Sequence, residues 1–350
     1  MSAVDIRARD ENHTRHDERI PRSEGRKTRR GWRRLGRTRF RYVDAYGNPV
    51  DDEELERIRA LAIPPAWTDV WISPSPRARV QATGIDSAGR KQYRYRASFR
   101  AAQERAKFDR LFEFATALPS LRASTAAHLR LPPYEREWTC AVAIGLVNKA
   151  WFRVGSDRHA RRSRTYGVTT LRKRHVSVDA DEVRFCFRAK NRKLVRRSIR
   201  SATLARAVEA LLDLPDGSRL FRYERDDELV ALTGDQLNAY LAERMGPFTV
   251  KDFRTWGGTL LAASELAQRG LPDSEAEAKR TLASVMRAVG EELGNTAAVA
   301  RESYVSPVVV DAYLAGRTLA DFRTANGRPA RLTADERALV RLLRSARRKR

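Results

Sequence analysis

Two stretches near the end of the chain carry side chains suited to chemistry on a phosphodiester. KDFRTWGGT, residues 251–259, sets Arg254 in a helical pattern with Phe253, Trp256 and Leu260 on its apolar side. GNTAAVARESYVSP, residues 294–307, sets Tyr304 just ahead of Ser306 and Pro307, which read as the N-cap and first position of a new helix. A guanidinium fork binds phosphate bidentately, and a phenol can act as a covalent nucleophile. Both residue types are common, and most tyrosines pack a ring and leave the hydroxyl at the surface. The elements that would have to position such a pair therefore matter as much as the pair.

The 350-residue chain has length for two or three domains and a real core. Its 69 Lys and Arg against 44 Asp and Glu give a formal charge of +25, which concentrates polyanions and makes nucleic acid the leading partner. Cys140 and Cys186 are too few for a disulfide framework or a cysteine zinc site. No window approaches the roughly 18 apolar residues of a membrane span, and the start of the chain lacks the apolar core of a signal peptide. The expectation is a cytoplasmic, nucleoid-associated protein. Phosphate-loop, dinucleotide and HExxH motifs are absent from the sequence, so no cofactor, nucleotide or metal is expected.

Residues 1–35 mix charges without apolar periodicity and read as a disordered basic tail. Order is expected to begin near Phe40, with a first domain over residues 36–97. It has a strand at Phe40, Tyr42 and Val43, and a helix capped by the acidic run from Asp51 and carrying Leu55, Ile58 and Leu61. Strands at 70–73, 79–84 and 92–96 follow. In the last, GRKQYRYR, alternation puts Gln92, Arg94 and Arg96 on one face and Tyr93 and Tyr95 on the other.

A mainly helical domain is expected over residues 98–330, with a helix over 137–153 and Arg153 at its end, where a lone arginine ordinarily faces the helix dipole. Period-2 runs at 166–171, 183–187 and 194–199 predict a three-stranded antiparallel sheet. The segment 184–200 holds eight basic residues and no acid, so the hairpin carrying Lys190, Arg192 and Lys193 is a candidate for lying in a nucleic-acid groove. After Ala202 the chain reads as almost entirely helical, with helices over 203–212, 233–244, 250–269, 274–292 and 307–315. A basic helix or tail closes it over 331–350. Gly294 and Asn295 fit a helix end followed by the N-cap of the next helix. The fold class is α+β: a small antiparallel sheet domain, then a helical domain with a three-stranded sheet.

KDFRTWGGT, the GNT to SYVSP block, GRKQYRY and the phrase from Phe152 to Leu171 together resemble the type IB DNA topoisomerases, in the compact form of poxviruses and many bacteria. The resemblance spans about residues 40–314. It implies that Tyr304 is the nucleophile, that Arg153, Arg254 and Asn295 hold the non-bridging oxygens, and that Lys190 is the general acid. It also implies that Gln92, Tyr93 and Tyr95 contact double-stranded DNA, and that relaxation proceeds through a 3′-phosphotyrosyl link without ATP or metal, by a monomer. Ala189 stands where the family usually has glycine, Asn295 where viral members have histidine, and Ser156 where poxviral members have lysine. The alternatives are a tyrosine recombinase, which generally shows HxxR where this chain has Lys251 to Arg254, and a non-enzymatic DNA-compacting protein.

Overall fold

Asp51 opens the first helix, accepting a hydrogen bond from the Glu54 amide at 2.9 Å, with Asp52, Glu53 and Glu54 in the first turn and Arg57 and Arg59 in the last. The computed structural model describes residues 31–215, 217–324 and 331–348, in two units divided between Ala106 and Lys107. In the first unit that helix, α1 (Asp52–Ala60), buries Ile58 against Val70, Ile72 and Ala82. These belong to a five-stranded antiparallel sheet built from β1 (Trp32–Leu35), β2 (Arg41–Val43), β3 (Thr68–Ile72), β4 (Val80–Ile85) and β5 (Lys91–Tyr95), in the order β2-β1-β3-β4-β5. Arg57 fastens α1 to the sheet, donating to Gln81 Oε1 and the Ser73 carbonyl, both at 2.7 Å.

The second unit is mainly helical. After α2 (Ala97–Asp109), which crosses the division, come α3 (Leu111–His128) and α4 (Arg136–Ala150), the latter buried on nearly every side. A short helix, α5 (Asp157–Ser163), leads to a sheet of β6 (Val176–Asp179), β7 (Glu182–Arg188) and β8 (Leu194–Arg200), in that order, with Val183 opposite Ile199 and Phe187 opposite Val195. Then follow α6 (Ala202–Asp213), a hairpin of β9 (Arg222–Arg225) and β10 (Glu228–Ala231), α7 (Gly234–Met245), α8 (Val250–Arg269), α9 (Glu275–Glu292), α10 (Ala297–Ser303), α11 (Pro307–Leu314) and α12 (Ala334–Arg347). The fold class expected from the sequence is the one observed.

Several local expectations are corrected. Residues 32–35 of the expected tail are a strand, because β1 pairs with both β2 and β3; the rest of that tail, residues 1–30, lies outside the described residues, as do Lys349 and Arg350. Residues 166–171 are not a strand. Val168–Thr170 form a 3-10 turn whose Val168 and Thr169 amides donate to the Arg153 and Val154 carbonyls, and the first strand of the sheet is β6 instead. Val168, Thr169, Thr170 and Leu171 are all buried, and the threonine hydroxyls bond backbone groups, so the apparent alternation was not that of a one-sided strand. The helix expected to reach Arg153 ends at Ala150, where Trp151 turns left-handed. The run after Ala202 includes the unforeseen β9/β10 hairpin, which turns at Asp226 and Asp227 with φ of 52° and 60°.

Candidate active site

Arg254 is presented by the first turns of α8. Thr249 caps that helix with Asp252, whose Oδ2 accepts from the Thr249 amide at 2.8 Å, while Phe253 and Trp256 go into the core. The Arg254 side chain is only 5% exposed, and two of its nitrogens are engaged: one donates to the Trp151 carbonyl at 2.8 Å, the other to the Leu293 carbonyl at 2.6 Å. Its Nε is buried without a partner. An orphaned buried N–H on a cation is costly, and an anionic oxygen would satisfy it. Burial, then repulsion from Arg153, pulls its pKa down to about 10, which still leaves a cation at neutral pH.

Gly257 and Gly258 explain how two other segments reach this helix. A glycine inside a helix costs about 1 kcal/mol relative to alanine, so two in a row need a reason. A Cβ on Gly257 would stand 2.2 Å from the Trp151 ring, and one on Gly258 would stand 2.9 Å from the Tyr304 carbonyl and 3.0 Å from its Cβ. The pair thus admits the segment carrying Arg153 and the segment carrying Tyr304. Thr259 completes the seam, its hydroxyl donating to the Tyr304 carbonyl at 3.0 Å and accepting from the Ser306 amide at 3.1 Å. Trp151, Gly257 and Thr259 carry no chemistry-bearing group that marks them in the sequence; the double glycine inside a helical pattern is the one signal of this seam.

Arg153 lies beyond α4 in a loop held by the 3-10 turn, and donates to Asn295 Oδ1 at 2.9 Å. Asn295 does not cap α10, contrary to one expectation; Thr296 does, accepting from the Val299 amide. The asparagine amide donates instead to the Leu293 carbonyl at 3.2 Å, and the preceding Gly294 takes the left-handed φ of 63° that ends α9. Residues 292–295 therefore form a junction: Arg254 reaches the Leu293 carbonyl and Arg153 the Asn295 side chain.

Tyr304 sits just after α10, half-buried, with its ring 5.1 Å from the Arg254 guanidinium carbon. Burial pushes its hydroxyl pKa up, but the positive charges of Arg254, Arg153 and Lys251 outweigh that and hold it below the ordinary value of 10. Ser306 occupies the expected N-cap of α11, with Pro307 at the first position, although its buried hydroxyl makes no capping bond.

The remaining expected residues lie on the β7–β8 hairpin and on β5. Lys190 begins the turn between β7 and β8, exposed, and makes no hydrogen bond or ion pair among the described residues. Asn191 and Arg192 follow it with φ of 60° and 59°, so two left-handed residues shape the turn. Lys193 donates to the Asn295 carbonyl at 3.1 Å. Gln92, Tyr93 and Tyr95 belong to β5 in the first unit. Gln92 donates to Asp86 at 2.8 Å, and Tyr93 and Tyr95 stack with centroids 6.0 Å apart.

A cleft of about 480 Å³ is lined by Arg153, Lys193, Arg196, Arg197, Arg254 and Gly294, among others. Such a site can hold a multiply charged oxyanion and ease ionisation of a neighbouring phenol. Among the described residues, no group of three or more His, Cys, Asp or Glu converges as a metal ligand set.

Residues 96–312 match the family model of the eukaryotic DNA topoisomerase I catalytic core, and residues 39–86 that of the bacterial DNA topoisomerase IB N-terminal domain. The chain is 33% identical over 273 residues to DNA topoisomerase 1B of Acanthamoeba polyphaga mimivirus, covering 75% of this chain and 81% of that protein. It is 21% identical over 273 residues to DNA topoisomerase 1B of vaccinia virus, strain Copenhagen, covering 75% and 84%. On the breadth of the catalytic-core match and the extent of the mimiviral likeness, the chain belongs to the type IB DNA topoisomerase family.

Proposed function

We propose that this enzyme relaxes positive and negative supercoils by transient cleavage of one DNA strand. Tyr304 Oη attacks a backbone phosphorus, the bond to O5′ breaks, and a 3′-phosphotyrosyl ester and a free 5′-hydroxyl result. Arg153, Arg254 and Asn295 stabilise the charge that gathers on the non-bridging oxygens. Lys190 gives its proton to the departing O5′. One phosphodiester is exchanged for one phosphotyrosyl ester, so rotation and reversal need no ATP, and the cations present supply the charge stabilisation a metal would otherwise provide. Gln92, Tyr93, Tyr95, Arg192 and Lys193 contact the duplex, and the protein acts as a monomer in the nucleoid.

The observation that carries this reading is the convergence of Arg153, Arg254 and Asn295, from three separate segments, beside Tyr304. The net charge of +25 and the relatives named as DNA topoisomerases supply the substrate class. The test is relaxation of negatively and positively supercoiled plasmid in EDTA without ATP. Wild type should relax both signs and Tyr304→Phe neither, while still binding DNA; relaxation by Tyr304→Phe would remove the nucleophile assignment.

A further inference from the structure

Arg197 of β8 makes an ion pair with Glu292 at 2.9 Å, and the same guanidinium nitrogen donates to the Glu292 carbonyl. Glu292 is the last residue of α9, where free carbonyls and the negative end of the helix dipole attract cations. The next three residues carry the Leu293 carbonyl that holds Arg254 and the Asn295 side chain that holds Arg153. The hairpin bearing Lys190 is thus tied to the same short junction that orients the two arginines. Its second tie, from Lys193 to the Asn295 carbonyl, comes from an exposed ammonium that a DNA phosphate would draw away. The Arg197–Glu292 pair is half-buried and combines charge with a backbone bond, so it does not depend on Lys193.

Lys190 has no anchor of its own among the described residues, so its reach toward a leaving oxygen depends on where the hairpin is held. We propose that Arg197 and Glu292 are positioning residues for leaving-group protonation: the pair sets the height of the Lys190 turn over the junction that orients the phosphate-binding arginines. This rests on the transesterification reading above. Neither residue exchanges a proton in the step; Lys190 still supplies it to O5′ as the phosphorus bond to Tyr304 forms.

The test is single-turnover cleavage by Glu292→Ala and Arg197→Ala on two duplexes, one with an ordinary phosphodiester and one with a 5′-bridging phosphorothiolate, whose thiolate leaves without a proton. Lys190→Ala is run beside them. The expected result is cleavage of the phosphodiester slower by about tenfold or more in Glu292→Ala, a fraction of the full general-acid contribution, with the phosphorothiolate cleaved within about twofold of wild type. Equal slowing on both substrates, or no slowing, would overturn the positioning role, provided Lys190→Ala is itself rescued. If Lys190→Ala is not rescued, it is the general-acid assignment that fails, and the positioning role fails with it. Arg197 lines the cleft, so the double variant is the second check: Glu292→Ala should add little to Arg197→Ala if the two act as one tie.

Discussion

Arg254 and Lys190, the phosphate clamp and the general acid of the proposed step, stand at opposite extremes of burial. Arg254 is 5% exposed on a twenty-residue helix, with two nitrogens bonded to carbonyls of separate segments. Lys190 is exposed on a turn of left-handed residues and makes no hydrogen bond or ion pair among the described residues. The contrast separates two demands. Groups that meet charge developing on phosphate work best when fixed beforehand, since reorganisation is then avoided. A proton donor needs only to be within reach at the moment the bond breaks, and must stay solvated and charged until then.

The comparison breaks most readily on the rigid side. Arg254→Ala should lower single-turnover cleavage by about 10³- to 10⁵-fold, as expected for a cation meeting phosphoryl charge. It should also move the pH profile. Burial alone raises the Tyr304 pKa and the neighbouring cations bring it below the ordinary tyrosine value, so the wild-type rate should climb with pH along a limb whose midpoint lies below that of a free tyrosine. Without Arg254 that limb shifts to higher pH, and an unshifted limb would detach Arg254 from tyrosine ionisation. On the exposed side, Lys190→Ala should cost about 10²- to 10⁴-fold with no such alkaline shift of the tyrosine limb.

Smaller effects probe the scaffold. Gly257→Ala sets a Cβ 2.2 Å from the Trp151 ring and should destabilise the fold by about 1–3 kcal/mol, with slowed cleavage because Arg153 follows Trp151 by two residues. Thermal melting and cleavage of the same preparation separate the two outcomes. Behind α8, Glu336 of α12 is 3% exposed, pairs with Arg122 at 2.7 Å and accepts from Trp256 Nε1 at 3.4 Å. Burial raises its pKa, but Arg122 and the Thr333 amide outweigh that and hold it below the usual 4.5. A depressed carboxylate pKa gives stability that is present above the ordinary glutamate range and is lost as pH falls through the folded value. Glu336→Gln should therefore lower Tm at pH 7 and narrow its gap to wild type as the pH drops below 4; a constant gap would show that shape, not charge, matters there.

Arg254 and Tyr304 stood out as candidates because their flanking words are dense: Arg254 between Phe253 and Trp256, Tyr304 before Ser306 and Pro307. Their surroundings were less legible. Arg153 looked like the end of a helix because nothing in Trp151 announces a left-handed residue, a conformation bulky side chains seldom take. Asn295 read as an N-cap because asparagine and threonine serve equally well there; the choice of Thr296 depends on Arg153 claiming the amide oxygen, a contact 142 positions away in sequence. Val168–Thr170 looked like strand because threonine and valine favour strands, yet the Thr169 hydroxyl and the Val168 and Thr169 amides are spent on the Arg153 loop. The last two misses concern long-range bonds, which local pattern does not encode.

The central claim is that Tyr304 becomes covalently joined to DNA. The most direct measurement is a suicide substrate that loses its 5′ strand on cleavage, followed by trypsin digestion and mass spectrometry of the trapped adduct. The account predicts that DNA remains on the peptide of residues 302–317, at Tyr304 and not at the buried Tyr313. An adduct on any other residue, or an unchanged adduct in Tyr304→Phe, would contradict it.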